Sequence, residues 1–434
     1  MSTPQEKPTP KPIHPRIILH GGAGNIQRSN LPPDLWITYR TALLAILHDA
    51  ATHLSQPGAT ALDTATRAVT ALENNPLFNA GRGAVFTRAG TVELEASVMV
   101  SRGYRKRGVG VMGVTRVRNP IGLAREMLVR GEEGDGGGAQ GHCQLTGEVC
   151  ERLAGEWGLE LVENWYFWTK RRWDEHRRGL GEGCLREEYE VGKTGGRGMG
   201  DDGGLFRGEV MVGLGEDLSA DSVDDPSWNG TDYLPQGTVG CVVLDSTGTL
   251  CVATSTGGIT NKLPGRVGDT PTLGAGFWAE EWQGPTLPPM SWAVNPLTAI
   301  ISSCIPSLTS YLPLSQQEPE SEHQYRATAL GGTGNGDSFL RLAAARTASA
   351  IARFRPGTSL QTAVTAVAGP NGMLQRSAED RWRKTGEGEG GIIGVELDAE
   401  GFGRVVADFN CGGMFRAWVD EDGMERVMVF REEY

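Results

Sequence analysis

The 434-residue chain has no C-x-x-C pair, only seven cysteines and only seven histidines. The cysteines (143, 150, 184, 241, 251, 304 and 411) are odd in number and widely spaced, which excludes a disulfide framework and a clustered zinc site. His48 and His53 stand five residues apart, out of phase on a helix, and read as surface or core histidines rather than ligands. No stretch approaches the roughly 18 uninterrupted apolar residues of a membrane span, and the opening MSTPQEKPTPKP lacks the apolar core of a signal peptide. Positive charge is short as well. With 41 Lys and Arg against 53 Asp and Glu, the net charge of −12 argues against nucleic acid or an anionic membrane as partner. These absences together lead us to expect a cytoplasmic chain.

Glycine, by contrast, is abundant: 62 residues follow no three-residue period, which excludes collagen and predicts glycine-rich loops. Arg16–His20 reads as a buried strand halted by Gly21-Gly22, and helices are predicted over Asp34–His53 and Ala61–Leu72. Asn74–Phe86 is a loop by its Asn, Pro and Gly content, Thr91–Val98 alternates as a strand does, and Gly131–Gly138 is a second loop. From about 178 to 235 hydrophobic period is lost. Between Gly208 and Gly237 there are seven acids and no Lys or Arg, so an extended acidic linker is expected. Gly237–Asp245 and Leu250–Thr254, joined by Ser-Thr-Gly-Thr, form a hairpin signal. Residues 283–324 are irregular around an apolar patch. A helix over Phe339–Arg355 and strands over Gly391–Leu397 and Arg404–Phe409 complete the pattern. Strands and helices come in blocks, which favours an α+β fold over a doubly wound sheet.

Two nucleotide-binding patterns fail. Val191-Gly-Lys-Thr194 has Glu187 where a phosphate loop needs glycine, and Gly332-Thr-Gly-Asn-Gly336 is spaced G-x-G-x-G, with Asp337 at the third glycine position of the dinucleotide fingerprint. Thr238 survives this sifting. It follows Gly237 at the end of the acidic linker and opens a strand. A threonine hydroxyl is a poor nucleophile without a base, and no Ser/His/Asp spacing supplies one. Its own α-amine, with a pKa near about 7.7–8.0, could act as that base if the Gly237–Thr238 bond were cut. On residue chemistry alone an ordinary strand threonine remains the alternative.

Ile18-Leu-His-Gly-Gly-Ala-Gly24, Asn75 to Thr87, Gly237-Thr-Val-Gly240, Thr254-Ser-Thr-Gly-Gly258, Gly265-Arg-Val-Gly-Asp269 and Thr333-Gly-Asn-Gly-Asp337 resemble, in order, motifs of the plant-type asparaginase/isoaspartyl peptidase family of N-terminal-nucleophile hydrolases. The resemblance implies a four-layer αββα sandwich cut by autoproteolysis into an α subunit (1–237) and a β subunit (238–434). It implies Thr238 as nucleophile, Thr256 as the threonine that holds and polarises it, and Thr333 with the Gly334 N–H as oxyanion donors. Arg266 matches the grip on the substrate α-carboxylate, Asp269 and the Gly336 carbonyl match the α-ammonium site, and Asn79 matches a position near the nucleophile's amine. Backbone carbonyls around Leu72, Glu73, Asn75, Phe78, Ala80 and Arg82 match a loop holding a structural sodium ion; no cofactor is implied for catalysis. The implied substrates are asparagine and β-aspartyl dipeptides, and the implied assembly is a dimer of αβ units. Cys411 stands where the family usually has threonine, and the segment 283–324 is an insertion. Glycosylasparaginase, a taspase-like endopeptidase and an uncut binding relative are the rival readings, and a simple Arg266–Asp269 ion pair is the structural alternative for that loop.

Overall fold

The computed structural model describes residues 13–181, 237–283 and 325–434. The first segment contains β1 (Arg16–Gly24), α1 (Pro33–Leu54), α2 (Ala61–Asn74), β2 (Leu94–Val100), β3 (Gly108–Val114), α3 (Pro120–Val129), β4 (Gln144–Thr146), α4 (Gly147–Glu156) and α5 (Lys170–Gly179). The second contributes β5 (Val239–Leu244), β6 (Leu250–Thr256) and β7 (Phe277–Gln283). The third runs β8 (Tyr325–Gly334), α6 (Gly336–Leu342), α7 (Ala344–Phe354), α8 (Leu360–Ala368), α9 (Met373–Ser377), β9 (Gly390–Leu397), β10 (Gly403–Phe409), β11 (Gly413–Val419) and β12 (Glu425–Met428).

Two sheets result, one of eight strands in the order β12-β11-β1-β5-β6-β2-β3-β4 and one of four in the order β10-β9-β8-β7. All neighbours are antiparallel except β3 and β4. Period-two alternation sorts the central strands between separate cores. In β1, Ile17 and Leu19 pack with α1 and α2, whereas Ile18 joins Val242, Val252, Phe277, Ala329 and Ile393 between the two sheets. In the smaller sheet, Leu330 and Ile392 turn the other way and pack with Ala344, Ala348, Val364 and Val367 of α7 and α8. Strands buried on both faces read as continuous apolar runs, which is why VGCVVL and GGIIGVEL show no polar alternation. The α+β expectation agrees with this arrangement.

Local chemistry explains the helices that set the frame. Pro33 begins α1, and Leu35, Tyr39, Leu43, Leu47, Ala50 and Leu54 form its buried stripe. Thr60 caps α2 by accepting the Asp63 N–H at 3.0 Å, and Ala61, Ala65 and Ala68 let that helix lie close to the larger sheet.

Several boundaries differ from the sequence-based expectation. β1 does not stop at Gly21 but continues to Gly24 through a bulge between His20 and Gly22. β2 begins at Leu94, three residues later than the alternating run. The expected helix over Phe339–Arg355 is two helices, broken at Ala343 with φ of 45°. The break is tertiary in origin: the N–H groups of Ala345 and Arg346, at the start of α7, donate to the carbonyls of Ala275 and Gly274 at 3.0 and 2.8 Å. Helix α5 runs to Gly179, two residues into the expected linker, and Leu180 and Gly181 follow as a turn; residues 182–235 of that linker and all but Gln283 of the 283–324 insertion lie outside the described residues. Among the described residues no helix is long and apolar enough to cross a membrane.

Candidate active site

The start of β5, the ends of β1 and β6, and the corner between β8 and α6 meet on one side of the two sheets. Gly237 sits in a slot that admits no side chain: a Cβ there would stand 2.5 Å from Gly22 Cα and Ala23 N and 2.6 Å from Thr333 Oγ1. Gly22 reciprocates, with φ of 117° and its own Cβ position 3.2 Å from Gly237 Cα. The Gly237–Thr238 junction is therefore pressed against the Thr333 hydroxyl, which is buried and has no hydrogen-bond partner among the described residues.

Thr238 is buried, and its Oγ1 lies 2.9 Å from Thr270 Oγ1, while its carbonyl accepts from His20 Nδ1 at 2.9 Å. In the β5–β6 ladder Val239 faces Ser255, so Thr256 falls opposite Thr238 one step on. The Thr256 hydroxyl accepts the Gly258 N–H at 3.0 Å, and the hydroxyl bonded to Thr238 is that of Thr270 instead. Asn79 braces this turn: Nδ2 donates to Gly258 O at 2.8 Å, Oδ1 accepts from Val85 N at 3.0 Å, and its carbonyl accepts from Gly257 N at 3.1 Å. Its amide thus ties the β6 turn to Val85.

A charged pocket wall adjoins these threonines. A Cβ on Gly336 would stand 2.6 Å from Asp269 Oδ1 and 3.0 Å from Arg266 Nη2, so Arg266, Asp269 and Gly336 converge. The ion pair of Arg266 goes to the half-exposed Asp337 at 3.3 Å, not to Asp269, which answers the simple-pair alternative. Arg266 Nε and Asp269 Oδ2 are buried without partners among the described residues. Burial, reinforced by the negative charge of Glu95, pushes the Asp269 carboxyl up to about 7. Gly334 has φ of 143°, and a Cβ there would strike Glu389 O at 2.4 Å, so the corner after Thr333 requires glycine.

Sequence reasoning passed over four residues here: His20, Glu95, Lys262 and Thr270. Glu95 lies in β2, where every residue is buried; its Oε1 accepts the Gly268 N–H at 2.9 Å and its Oε2 has no partner. Burial raises its pKa against the opposing charges of Lys262 and Arg266. Lys262 donates to Glu93 O at 2.9 Å, and burial lowers its pKa. The signal for Glu95 was the one charged residue inside the buried strand LEASVMV; no local signal marks Thr270.

The 72–82 loop closes tightly around backbone oxygens. A Cβ on Gly81 would stand 2.4 Å from Glu73 O, and one on Gly83 would stand 2.2 Å from Phe78 O and 2.5 Å from Pro76 O. The carbonyls of Leu72, Asn75, Phe78 and Ala80 accept N–H groups at 3.0–3.3 Å, each keeping a second lone pair. An oxygen-only donor set of this kind fits a hard cation. Arg82 turns away to the Tyr166 carbonyl and ring, and the Glu73 carboxylate is taken by Ser255, Asn119 and Ile121, with burial pushing it up to about 7. No group of three or more His, Cys, Asp or Glu side chains suited to a metal occurs among the described residues. His48 pairs with Glu425 and His53 with Thr64, and the five described cysteines are free thiols.

A buried threonine after a glycine that has no room for a side chain, the Thr333 hydroxyl facing the junction, and a cation and an anion alongside thus meet in one place. The family model described as Asparaginase matches residues 13–285, and the chain belongs to that family. It is 30% identical to an isoaspartyl peptidase of Escherichia coli (strain K12), with 96% of each chain covered. It is also 30% identical to a putative isoaspartyl peptidase/L-asparaginase of Dictyostelium discoideum, covering 93% of this chain and 92% of the relative. A probable isoaspartyl peptidase/L-asparaginase 2 of Arabidopsis thaliana is 30% identical over 95% of this chain and 98% of its own.

Proposed function

We propose that the chain is an autoprocessing threonine amidohydrolase that cleaves the side-chain amide of L-asparagine and the β-peptide bond of isoaspartyl dipeptides. The carrying observation is the Gly237–Thr238 junction wedged beside the unpartnered Thr333 hydroxyl, with Arg266 and Asp269 across the pocket. In the first step Thr238 Oγ attacks the Gly237 carbonyl carbon; the C–O bond forms, the C–N bond breaks, and the hydroxyl proton goes to the leaving nitrogen, which becomes the Thr238 α-amine. Water then hydrolyses the ester and frees the Gly237 carboxylate.

In turnover the α-amine takes the hydroxyl proton as Oγ attacks the substrate amide carbon, and passes it to departing ammonia or peptide amine. The Thr333 hydroxyl and the Gly334 N–H receive the oxyanion, each such donor contributing about 10²–10³ in rate. Arg266 holds the α-carboxylate by a planar two-point contact, while Asp269 and the Gly336 carbonyl hold the α-ammonium. Thr256, braced through the turn that Asn79 fastens, lies beside the nucleophile. Water attacks the β-aspartyl ester and releases aspartate.

The same reading takes the two sheets and their flanking helices as the αββα sandwich of N-terminal-nucleophile hydrolases. It divides the chain into an α subunit (1–237) and a β subunit (238–434), paired as a dimer of αβ units in the cytoplasm. A sodium ion held by the carbonyls of the 72–82 loop would stiffen the segment that places Asn79, outside the reaction itself. Glycosylasparaginase and taspase-like activities are the rivals. Incubating purified protein, weighing the fragments by mass spectrometry and assaying the ammonia or amine released from asparagine, β-aspartyl dipeptides, glycosylasparagine and N-acetylasparagine separates them. A 238-start fragment that hydrolyses only substrates bearing a free α-amine, with asparagine and β-aspartyl dipeptides ahead of glycosylasparagine, is expected; an uncut, inactive chain, a preference for glycosylasparagine, or equal hydrolysis of N-acetylasparagine overturns the reading.

A further inference from the structure

His20 is completely buried, yet it is no part of the chemistry above. It lies on the same face of β1 as Ile18, between the two sheets, directly opposite Gly240 of β5. A Cβ on Gly240 would stand 2.5 Å from His20 Nε2, and one on Gly331 of β8 would stand 3.5 Å from it. The imidazole thus fills a slot left by two glycines from two different sheets. Among the described residues its one hydrogen bond runs from Nδ1 to the carbonyl of Thr238 at 2.9 Å, and Nε2 has no partner.

A carbonyl only accepts, so Nδ1 carries the proton. Burial depresses the histidine pKa to about 3, which leaves the ring neutral with that single N–H at any working pH. Thr238 precedes the first residue of β5, and once the Gly237 bond is cut it becomes a chain terminus. Termini fray unless tied down.

Resting on Thr238 as nucleophile, we propose that His20 is a positioning residue: its neutral Nδ1–H clamps the Thr238 carbonyl and so fixes the direction of the hydroxyl and of the α-amine freed by self-cleavage. The clamp acts from β1, independently of the hydroxyl contact with Thr270. Misdirecting a nucleophile by about 1 Å is enough to cost about 10²-fold in rate.

Three variants test the clamp. His20→Asn carries an amide N–H where Nδ1 stands, His20→Gln places its amide further out, near the Nε2 position, and His20→Leu has no donor. The readouts are the fraction cut by intact mass, kcat and KM for asparagine, and Tm. His20→Leu is expected to mature slowly and to lose roughly 10- to 100-fold in kcat with KM little changed, and His20→Asn to recover most of it. A cut, folded His20→Leu chain with parental kcat overturns the proposal, as does a kcat loss matched by loss of folded protein. If His20→Leu does not fold, equal kcat in the Asn and Gln variants overturns it. A parent chain that neither cuts nor hydrolyses, and so behaves like Thr238→Ala, refutes the nucleophile reading itself, whereas an active parent with an active His20→Leu variant refutes only the clamp.

Discussion

On the proposed reading the site has a nucleophile half and a recognition half, and the two are built differently. The nucleophile half is backbone: Gly237, Gly22 and Gly240 make room, and the β1–β5–β6 ladder places Thr238 and Thr256 side by side. The recognition half is charge: Arg266 and the buried Asp269 of the 265–270 loop stand with the buried Glu95 and Lys262, and among the described residues Asp269 Oδ2, Glu95 Oε2 and Arg266 Nε have no hydrogen-bond partner. Buried polar atoms without a partner are costly in the free protein, and that cost is relieved when a ligand brings the complementary group. One half is therefore finished before substrate arrives, and the other is completed by it.

The contrast is broken most severely at Thr238. Thr238→Ala should stay a single 434-residue chain by intact mass and lose about 10⁴-fold or more in aspartate release, since both hydroxyl and α-amine chemistry are gone. A variant that matured and turned over normally would remove the backbone half altogether.

Gly237→Ala should slow self-cleavage by about 10²-fold, because its Cβ would stand 2.5–2.6 Å from Gly22, Ala23 and Thr333 Oγ1 and must displace the scissile bond. Material that does become cut should then have parental kcat, since residue 237 ends the other subunit. Time-resolved mass spectrometry and single-preparation kinetics separate the two rates.

On the charged side, Asp269→Asn should lower kcat/KM for asparagine by roughly ten- to hundred-fold, the worth of one charge-assisted hydrogen bond of about 1.5–3 kcal/mol. Self-cleavage should persist, because Gly237 presents no ammonium. Loss of cutting without loss of turnover would reverse the assignment of the two halves.

The smallest effect expected is a displacement along the pH axis. Asp269 must be ionised to accept the ammonium, so kcat/KM should fall as pH drops through about 7. Glu95→Gln keeps an oxygen for the Gly268 N–H but removes the negative neighbour, so that acid limb should move to lower pH. Stability follows the opposite sign: a carboxyl raised from 3.8 to about 7 favours the folded state below 3.8 and loses that contribution as pH rises through 7. Chemical denaturation at several pH values reads the second effect; an unmoved kcat/KM profile in Glu95→Gln would detach Glu95 from the pocket.

Local pattern in the chain already determined a good deal. The Asp34–His53 stripe, the Ala61–Leu72 helix, the hairpin around Ser246–Thr249 and the buried strands near the C-terminus are written in spacing and composition, because such elements are decided by neighbours within a few residues. The Gly-Thr step, the Arg266/Asp269 loop and the Thr333 corner were likewise visible as ordered motifs. Tertiary structure decided the rest. Ala343 breaks a helix because N–H groups beyond it find carbonyls near 274, and Asn79 fastens a turn 179 residues away. His20 meets Thr238 across 218 residues and Glu95 meets Gly268 across 173. Burial, and with it the charge state of Asp269, arises only when strands from distant parts of the chain close over the same few side chains, and no window of sequence contains that information.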